Sequence, residues 1–386
     1  MTKATFSHLQ AGDGEGEGEP TIPHVVPYLN PPPSRGNGSD KRDVVSNAFL
    51  WIGSLDGEEC EDMSKVLVTG GAGFIGSNLT EALLKKGHWV RVLDNFSTGK
   101  KENLIFDEAY PSLEIIDGDI RDMTLCQRAT KDIEYVFHQA ALPSVQRSVE
   151  DPLTSNSVNA GGTLNILLAA KDARVKRLIY ASSSSVYGDT PTLPKSEEMN
   201  PKPLSPYALQ KYIGEEYCRL FFKLYGLETV SLRYFNIFGS KQDPTSIYSA
   251  VIPRFIEALL EGRPPIIFGD GEQSRDFTYI ENVVQANLLA MSAEHLNGEV
   301  INIACGKRTS LNQLLNILQD IVGSKVSPTY EEARKGDVKH SLADIRKGKR
   351  VLNYEPKVGI ETGLKKTVEY FKNQRADLCS LPSGRR

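Results

Sequence analysis

The sequence predicts an α/β fold built on a doubly wound parallel sheet. Two observations support this prediction. Short apolar segments of strand length alternate with longer amphipathic segments, and the first strand-like segment runs into a glycine-rich turn. Strands that alternate with helices form parallel sheets, whose ligands bind at the carboxyl ends of the strands. Functional residues are therefore expected at strand ends and at the helix starts that follow them.

The first strand, Lys65–Thr69, is followed by the glycine-rich turn 70–76, a helix expected over 77–86 and a second strand, 89–93, that ends at Asp94. In the Rossmann arrangement the glycines let the backbone approach a pyrophosphate at a helix N-terminus. An acid about 20 residues further on accepts a hydrogen bond from a ribose 2′-hydroxyl and repels a 2′-phosphate. The pattern predicts a Rossmann-type unit that prefers NAD to NADP. A purely structural role for Asp94, as a turn residue, stays open.

Further strands are expected over 113–120, 133–140 and 177–183, with a helix over 164–171 before the last of them. A run of four serines, 182–185, lies where that last strand ends. Serines at a strand end often serve only to turn the chain. Here a tyrosine follows at the start of the next predicted helix, so the serines are also candidates for chemistry.

That helix is marked by Ser205 as N-cap, Pro206 at the first helical position and Gly226 at the far end. Tyr207 and Lys211 stand four residues apart, so their side chains share one face. Stabilising a phenolate from a pKa of about 10 to neutrality requires ~4 kcal/mol. An ammonium about 4 Å away supplies roughly that much at a dielectric near 20. The pair predicts a general base, although chance pairs also occur on ordinary amphipathic helices.

Composition excludes several classes of protein. The 386 residues include 45 basic and 49 acidic ones, and a net charge of −4 is not that of a protein that binds nucleic acid or a membrane surface. The five cysteines are scattered without a Cys-x-x-Cys pair, which indicates reduced thiols and neither disulfides nor a metal site. No apolar run approaches the ~20 residues of a membrane span. A cytoplasmic location is expected.

The chain divides by composition into four parts. Residues 1–62 form a low-complexity arm in which glycine alternates with acid at 12–19, and such a segment is expected to be disordered. Met63 stands just before the first strand, so translation starting there is a hypothesis. An NAD-binding domain is expected over 63–240. A smaller, interwoven α/β substrate domain is expected mainly over 241–372, and a polar tail over 373–386.

Four motifs in order resemble the extended short-chain dehydrogenases that act on nucleotide sugars: Gly70-x-x-Gly73-x-x-Gly76, a Ser-Ser-x-Val-Tyr-Gly run, Tyr207-x-x-x-Lys211 and the Arg-Tyr-Phe-Asn-Ile-Phe-Gly segment 233–239. The resemblance extends from about 63 to 371 and is closest to the 4-epimerases of UDP-N-acetylhexosamines. It implies that Tyr207 is the base, with Ser183 as its proton relay and Ser184 beside it. It also implies that Lys211 binds the nicotinamide ribose and lowers the pKa of the phenol.

The resemblance implies contacts for each ligand. For NAD they are Gly70, Gly73, Phe74, Ile75, Gly76, Asp94, Asn95, Thr98, Gly99, Asp119, Ile120, Gln139, Ala140, Ala141, Asn159, Tyr207, Lys211 and Phe235. For a UDP-sugar they are Ser144, Ser183, Ser184, Tyr207, Asn236, Val251, Ile267, Phe268, Arg275, Arg334, Asp337 and Ser341. Arg275 and Arg334 would hold the diphosphate, because the guanidinium fork can bind two phosphate oxygens. Asp337 would face the uridine ribose.

Relatives within this family differ at a few positions. Sugar-nucleotide dehydratases carry Asp-Glu where this chain has Ser184 and Ser185, and decarboxylases usually keep a glutamate at the second position, so both activities are set aside. UDP-glucuronate 4-epimerases usually have threonine at the position of Asn236 and remain an alternative, as do UDP-glucose 4-epimerases. Hexose epimerases of this type carry a lysine where this chain has Pro143, which weakens the inferred contacts at 141–145.

Two further expectations follow from the resemblance. Ser341 matches the position beside the C2 substituent of the hexose, where relatives restricted to glucose and galactose carry tyrosine. A small residue there leaves room for an N-acetyl group, so UDP-GlcNAc and UDP-GalNAc are the expected substrates. The helices over 153–171 and 205–225 pair across a two-fold axis in the family, which implies a homodimer. A non-catalytic NAD-binding scaffold on the same fold is the rival from another class.

Overall fold

Strands and helices alternate along the computed structural model, which describes residues 63–106, 108–243, 250–333 and 338–380. Its strands are β1 (Lys65–Thr69), β2 (Trp89–Asp94), β3 (Leu113–Asp117), β4 (Tyr135–His138), β5 (Arg177–Ser183), β6 (Glu228–Tyr234), β7 (Ile237–Phe238), β8 (Ile266–Phe268), β9 (Ser274–Arg275), β10 (Thr278–Tyr279), β11 (Asn297–Ile303), β12 (Thr309–Ser310) and β13 (Thr329–Glu331). Its α-helices are α1 (Phe74–Lys85), α2 (Met123–Thr130), α3 (Val145–Glu150), α4 (Pro152–Asn156), α5 (Thr163–Asp172), α6 (Pro206–Tyr225), α7 (Val251–Leu260), α8 (Ile280–Ser292), α9 (Leu311–Val322), α10 (Arg346–Leu352) and α11 (Ile360–Ser380).

Within the described residues, seven strands form one parallel sheet in the order β3-β2-β1-β4-β5-β6-β11. The chain places β2 and β3 on one side of β1, and then places β4, β5 and β6 on the other side. The predicted doubly wound, Rossmann-type sheet is therefore confirmed. The winding direction switches between the carboxyl ends of β1 and β4, which is where open α/β sheets hold their ligands.

The central sheet is covered on both faces. Val66 and Val68 of β1 join one buried apolar cluster with Leu79 of α1, whereas Leu67 between them joins another with Ile166 of α5. This alternation follows from the two-residue period of a strand. Helix α1 packs on α8, and α5 packs against both α2 and α6. Burying each such side chain contributes about 1.5–3 kcal/mol to the stability of the fold, so the packed sheet and helices hold the strand ends in fixed positions.

Helix α6 has the predicted boundaries. The Ser205 hydroxyl accepts a hydrogen bond from the backbone N–H of Ala208 at 3.1 Å, and Pro206 occupies the first helical position. Gly226 ends the helix in the left-handed conformation, with φ of 70°. The 20-residue helix therefore begins one residue before Tyr207.

Other predicted boundaries shift. β3 ends at Asp117 and β4 at His138, so the predicted cofactor residues 119, 120, 139 and 140 lie in loops after these strands. The helix predicted over 153–171 consists of α4, a stretch of wider π-type turns at Ser157–Gly162, and α5. Such turns are frequent at functional sites. Helix α7 begins at Val251, just after the residues 244–249 that lie outside the described part of the chain.

The C-terminal part contributes to the main sheet, because β11 pairs with β6. Short pairs join β7 to β10, β9 to β12 and β8 to β13. The division into domains at residue 240 stays a prediction. The polar tail predicted from 373 begins inside α11, which continues to Ser380. The predicted arm 1–62 lies outside the described residues, and no described helix is long and apolar enough to cross a membrane.

Candidate active site

Two adjoining cavities lie at the carboxyl ends of the strands. The first, of about 790 Å³, is lined by the glycine-rich turn and is called the glycine-loop cavity. The second, of about 650 Å³, is lined by Ser182–Ser185 and is called the serine cavity. Both include Ile75, Pro143 and Ile237 in their walls, so they share a boundary. Together they bring the predicted cofactor and substrate residues to one edge of the sheet.

The structure brings most of the predicted cofactor residues together. Those in the wall of the glycine-loop cavity are Gly70, Gly73, Phe74, Ile75, Gly76, Asp94, Asn95, Thr98, Asp119, Ile120, Gln139, Ala140 and Ala141. Gly99 lies behind this wall, where an added Cβ would be 2.9 Å from the backbone of Ala72. Phe235 lines the serine cavity instead, and Lys211 is buried beneath it with 4% of its surface exposed.

Two glycines of the glycine-rich turn, Gly70 and Gly76, are packed so closely that a side chain cannot replace them. Gly70 has φ of +68°, and a Cβ on it would lie 2.7 Å from Cα of Ala140. A Cβ on Gly76 would lie 2.1 Å from the carbonyl oxygen of Gly70. The turn leads directly into α1, whose first backbone N–H groups are available to an anion. This cradle fits the diphosphate of a dinucleotide.

Asp94 lies where the adenosine ribose of such a dinucleotide is expected. Its carboxylate accepts hydrogen bonds from the backbone N–H groups of Ala72 at 2.9 Å and Phe96 at 2.8 Å. Burial raises the pKa of Asp94, while these two N–H groups oppose the rise. Both N–H bonds fix the orientation of the carboxylate at the cavity wall, and its remaining lone pairs can accept from a ribose hydroxyl.

Asn159 does not line either cavity. It is 1% exposed, accepts from the backbone N–H of Leu142 at 2.8 Å and donates to Gln210 Oε1 at 2.9 Å. It thereby ties the π-type turns to the 140–143 loop and to α6. A direct contact of Asn159 with the cofactor stays a prediction, whereas its hydrogen bonds support the wall that the cofactor would meet.

Tyr207 and Ser183 meet at the wall of the serine cavity, with Ser184 beside them. The backbone N–H of Tyr207 donates to Ser148 Oγ at 3.0 Å, which fixes the start of α6 against α3. Burial raises the pKa of the Tyr207 phenol, and its hydrogen bond with Ser183 opposes the rise. The contact is the one that a proton relay between the two hydroxyls requires.

Lys211 lies one helical turn further on. Its ammonium donates to the carbonyl oxygen of Ala181 at 2.7 Å and stands 6.0 Å from the ring centre of Tyr207. Burial lowers the pKa of Lys211 to about 8, and the neighbouring carboxylate of Glu215 opposes the fall. For the Tyr207 phenol, burial therefore outweighs the hydrogen bond with Ser183, and a lowering of its pKa by Lys211 stays a prediction.

Glu215 is a residue that the sequence argument missed. It is 2% exposed and accepts from Ser182 Oγ at 2.5 Å and from Arg233 Nε at 2.8 Å. It thus joins α6 to the ends of β5 and β6 directly beneath Ser183. The sequence spacing did indicate a position close to the site, since Glu215 follows Lys211 by four residues and therefore shares its helix face.

The predicted substrate residues divide into three groups. Ser144, Ser183, Ser184, Tyr207, Asn236, Arg275 and Ser341 line the serine cavity. Val251, Ile267 and Phe268 are outside its lining, and Ile267 is 1% exposed within the apolar core. Arg334 and Asp337 lie outside the described residues. Lys195 and His340 also line the serine cavity, and no sequence pattern indicated either of them.

The described residues contain no cluster of His, Cys, Asp or Glu that could hold a metal ion. Residues 66–304 match the model of the NAD dependent epimerase/dehydratase family. The chain belongs to this family. Membership agrees with the fit of the glycine-loop cavity to NAD, and the cofactor of the protein is NAD.

Three members of the epimerase/dehydratase family illustrate its similarity to this chain. A UDP-N-acetylglucosamine 4-epimerase from Methanobrevibacter ruminantium, solved with UDP-N-acetylmuramic acid, is 43% identical with a TM-score of 0.78, covering 81% of this chain and 99% of that one. A putative UDP-glucose 4-epimerase from Methanocaldococcus jannaschii is 41% identical over 80% of this chain and 98% of its own length. The UDP-glucose 4-epimerase of Thermus thermophilus, solved with NAD, is 36% identical with a TM-score of 0.73, covering 80% of this chain and 99% of that one.

Proposed function

We propose that this NAD-dependent UDP-sugar 4-epimerase interconverts UDP-N-acetylglucosamine (UDP-GlcNAc) and UDP-N-acetylgalactosamine (UDP-GalNAc). The observation that carries the choice of sugar is a small residue, Ser341, in the wall that also holds Tyr207 and Arg275. The backbone N–H of Ser341 donates to the carbonyl oxygen of Ser274 at 3.0 Å, so the position of the serine is fixed. An acetamido group beside a serine has the room that a phenol side chain would remove.

The proton chemistry follows from the contact of Tyr207 with Ser183. The phenolate takes the proton of the sugar 4-hydroxyl through the serine hydroxyl and later returns it to the 4-oxygen of the 4-keto sugar, whose opposite face would then take back the hydride at C4. When bound, NAD supplies reversible acceptance of the hydride from C4. The ammonium of Lys211, held at the Ala181 carbonyl, provides positive charge one helical turn below the phenol. The buried Glu215 keeps the strand end that carries Ser183 attached to the same helix.

Epimerisation also requires that the sugar turn over while the nucleotide stays in place. Arg275 lies in the wall of the serine cavity and is assigned to the diphosphate. The wall that holds Tyr207 includes small residues, among them Ser144 and Ser184. Firm binding at one end and small side chains at the other allow a 4-keto sugar to rotate about its link to the diphosphate. The roles of Arg334 and Asp337 at the nucleotide remain predictions.

UDP-glucose and UDP-glucuronate 4-epimerisation are the alternatives. A plain hexose is smaller than its N-acetyl form, so the space beside Ser341 admits it as well, and weaker activity on UDP-glucose is compatible with the proposal. Asn236, which donates to the carbonyl oxygen of Asp276 at 3.2 Å, stands where UDP-glucuronate 4-epimerases usually have threonine. A scaffold that only binds NAD would not need Ser183, Tyr207 and Lys211 in mutual reach.

The decisive experiment is to incubate the purified protein with UDP-GlcNAc, without added cofactor, and to follow the sugar anomeric protons by NMR. UDP-GalNAc should form until an equilibrium mixture is reached. Parallel reactions with UDP-glucose and UDP-glucuronate rank the substrates, and Tyr207→Phe is the control for contaminating activity. Turnover of plain hexoses alone, or of UDP-glucuronate alone, would refute the N-acetyl proposal while leaving the epimerase activity intact.

We also propose a cytoplasmic homodimer. The exposed apolar residues Val149 (64% exposed), Leu153 (83%), Leu209 (48%) and Leu224 (63%) lie on α3, α4 and α6, which contact one another. A second copy that covers this strip would bury it. Light scattering should give twice the chain mass, and Leu153→Glu should give a monomer. Free thiols at Cys126, Cys218 and Cys305 support the reducing compartment.

A further inference from the structure

Asp276 follows Arg275 directly, and none of its surface is exposed. Its Oδ1 accepts a hydrogen bond from the backbone N–H of Cys305 at 3.0 Å, and its Oδ2 accepts from Gly306 at 3.0 Å and Ala343 at 3.2 Å. One carboxylate therefore joins the end of β9, the turn after β11 and the segment that precedes α10. These three segments are far apart in the sequence.

The three segments joined by Asp276 differ in whether they line the serine cavity or continue from the main sheet. Arg275 and Ser341, two residues before Ala343, lie in the wall of the serine cavity. Neither Cys305 nor Gly306 belongs to the described lining of that cavity, and both continue from β11 of the main sheet. The carboxylate thus attaches two walls of the serine cavity to the sheet from behind, without contacting the space where a substrate would lie.

Other hydrogen bonds hold these walls to each other. Ser274 donates its backbone N–H to the carbonyl oxygen of Lys339 at 3.0 Å and accepts from the N–H of Ser341 at 3.0 Å. Asn302 of β11 donates to the carbonyl oxygen of Asp344 at 3.1 Å, beyond the cavity wall. The Asp276 carboxylate therefore ties the Arg275 end of the wall to the turn after β11, alongside the Asn236 amide, which donates to the Asp276 carbonyl oxygen at 3.2 Å. Loss of the carboxylate would leave the wall intact but able to shift.

An ionised carboxylate suits this position because its partners, the backbone N–H groups of Cys305, Gly306, Ala343 and also Lys307, are all donors. Burial raises the pKa of Asp276 to about 6, and the backbone N–H groups oppose that rise, so the group is ionised at neutral pH. An amide in its place would turn an NH₂ group toward at least one backbone N–H, which leaves a buried donor unsatisfied.

We propose that Asp276 is a positioning residue that fixes Arg275 and Ser341 relative to each other and thereby sets the affinity for the nucleotide diphosphate. The proposal rests on the proposed function, in which Arg275 meets the diphosphate. Its expected signature is a loss of binding with little loss of chemistry, because Tyr207, Ser183 and the glycine-rich turn do not depend on this carboxylate.

The test compares Asp276→Asn with the NAD-loaded wild type. Titration calorimetry with UDP should show binding about tenfold weaker or more, because Arg275 is no longer held where the diphosphate meets it. The KM for UDP-GlcNAc should rise by a similar factor, while kcat stays within about threefold and the NAD content is unchanged. Binding of UDP as tight as in the wild type would overturn the proposal.

Arg177 offers a matched control at the start of β5. It is 6% exposed, and its guanidinium donates to the carbonyl oxygens of Ala290 at 2.8 Å and Met291 at 3.0 Å, so it is also a buried polar hub. It does not belong to the described cavity linings. Arg177→Met should lower the melting temperature and leave UDP affinity unchanged. Equal weakening of UDP binding in both variants would show that Asp276 matters only for stability.

A measurement on the wild type decides the question if Asp276→Asn does not fold. Hydrogen exchange should slow at the amides of Cys305 and Gly306 when UDP binds, together with those of 338–343. Protection confined to 338–343 would refute the coupling. UDP serves as the probe because it lacks the sugar. A wild type that binds UDP but leaves UDP-GlcNAc unchanged would refute the proposed substrate and leave this test valid.

Discussion

The two cavities are built in different ways. One continuous stretch, 65–94, supplies the first strand, the glycine-rich turn, the start of α1 and the acid Asp94 for the glycine-loop cavity. The serine cavity takes Tyr207, Asn236, Arg275 and Ser341 from segments scattered over more than a hundred residues. The first cavity depends on backbone geometry, whereas the second depends on side-chain hydrogen bonds that connect distant segments.

This difference explains which substitutions each cavity can tolerate. A turn whose backbone atoms touch each other has no room for a side chain, so its shape is fixed. Single side chains such as Ser341 can be exchanged for larger or smaller ones without disturbing the sheet beneath them. Substrate range can therefore vary within the serine cavity while cofactor binding stays constant.

The largest effect is expected in the serine cavity, at the tyrosine that contacts Ser183. Tyr207→Phe removes the hydroxyl and keeps the ring, so it should lower kcat by roughly 10²–10⁴-fold, the usual contribution of a general base. NAD content and UDP affinity should be unchanged, because neither needs the phenolic oxygen. Steady-state rates and titration calorimetry measure both. Tyr212→Phe, on the same helix, is the control and should retain normal turnover. If the Tyr207 variant turned over at a rate comparable to that of the wild type, the assignment of Tyr207 as the general base would be wrong.

One added methyl group should disrupt the glycine-loop cavity. Gly76→Ala places a Cβ 2.1 Å from the carbonyl oxygen of Gly70, so the turn must shift. Purified protein should lose most of its NAD, and activity should fall about 100-fold for a cost of ~3 kcal/mol. Released dinucleotide is quantified by mass spectrometry after denaturation. Gly359→Ala is the matched control, since an added Cβ there meets no atom within 4 Å. Normal NAD content in Gly76→Ala would contradict the tight-turn argument.

The sequence predicted the glycine-rich turn and the acid of the glycine-loop cavity because these determinants are local, but it did not indicate the part of the wall supplied by Arg147, Lys241 and Gln242. Strand, turn, helix and acid follow one another in the sequence, so no contact between distant segments is needed to bring them together. Asn159 and Gly99 lie behind the cavity wall, and sequence spacing does not show whether a residue lines a cavity or supports its wall. Asp276 gains its role only from long-range contacts, and for Glu215 the sequence shows the helix face shared with Lys211 but not the contacts with Ser182 and Arg233.

Ser341→Tyr should change selectivity without abolishing activity. A phenol would fill the space expected for the acetamido group, and overpacking costs ~1–3 kcal/mol. The ratio of kcat/KM for UDP-GlcNAc to that for UDP-glucose should fall about 5- to 150-fold, with UDP-glucose turnover largely kept. Ser341→Ala preserves the space and should keep the N-acetyl activity. Both substrates are assayed by NMR. An unchanged ratio in the tyrosine variant would place the C2 substituent elsewhere.

The smallest effect concerns pH and the cation beneath the phenol. Burial lowers the pKa of Lys211 to about 8, so its ammonium is present below that pH and is lost above it. A positive charge near Tyr207 stabilises the phenolate, so this stabilisation also exists only below pH 8. Lys211→Met removes the stabilisation, raises the pKa of the phenol further and moves the acid limb of the rate profile to higher pH.

The deficit of Lys211→Met relative to the wild type should therefore depend on pH. At 6.0 Å from the ring centre, a unit charge contributes at most ~3 kcal/mol at a dielectric near 20, and hydrogen bonding of the ammonium to Ala181 leaves less. We expect kcat to be about tenfold lower at pH 7 and within about threefold of the wild type at pH 9.5, since the wild-type lysine is then neutral too. Rates are compared with saturating NAD, so that any lost cofactor contact does not enter. Lys211→Arg keeps the charge at both pH values and should not show the convergence. If the deficit of Lys211→Met is the same at pH 7 and pH 9.5, the lysine acts by holding the ribose, and its charge does not act on the phenol.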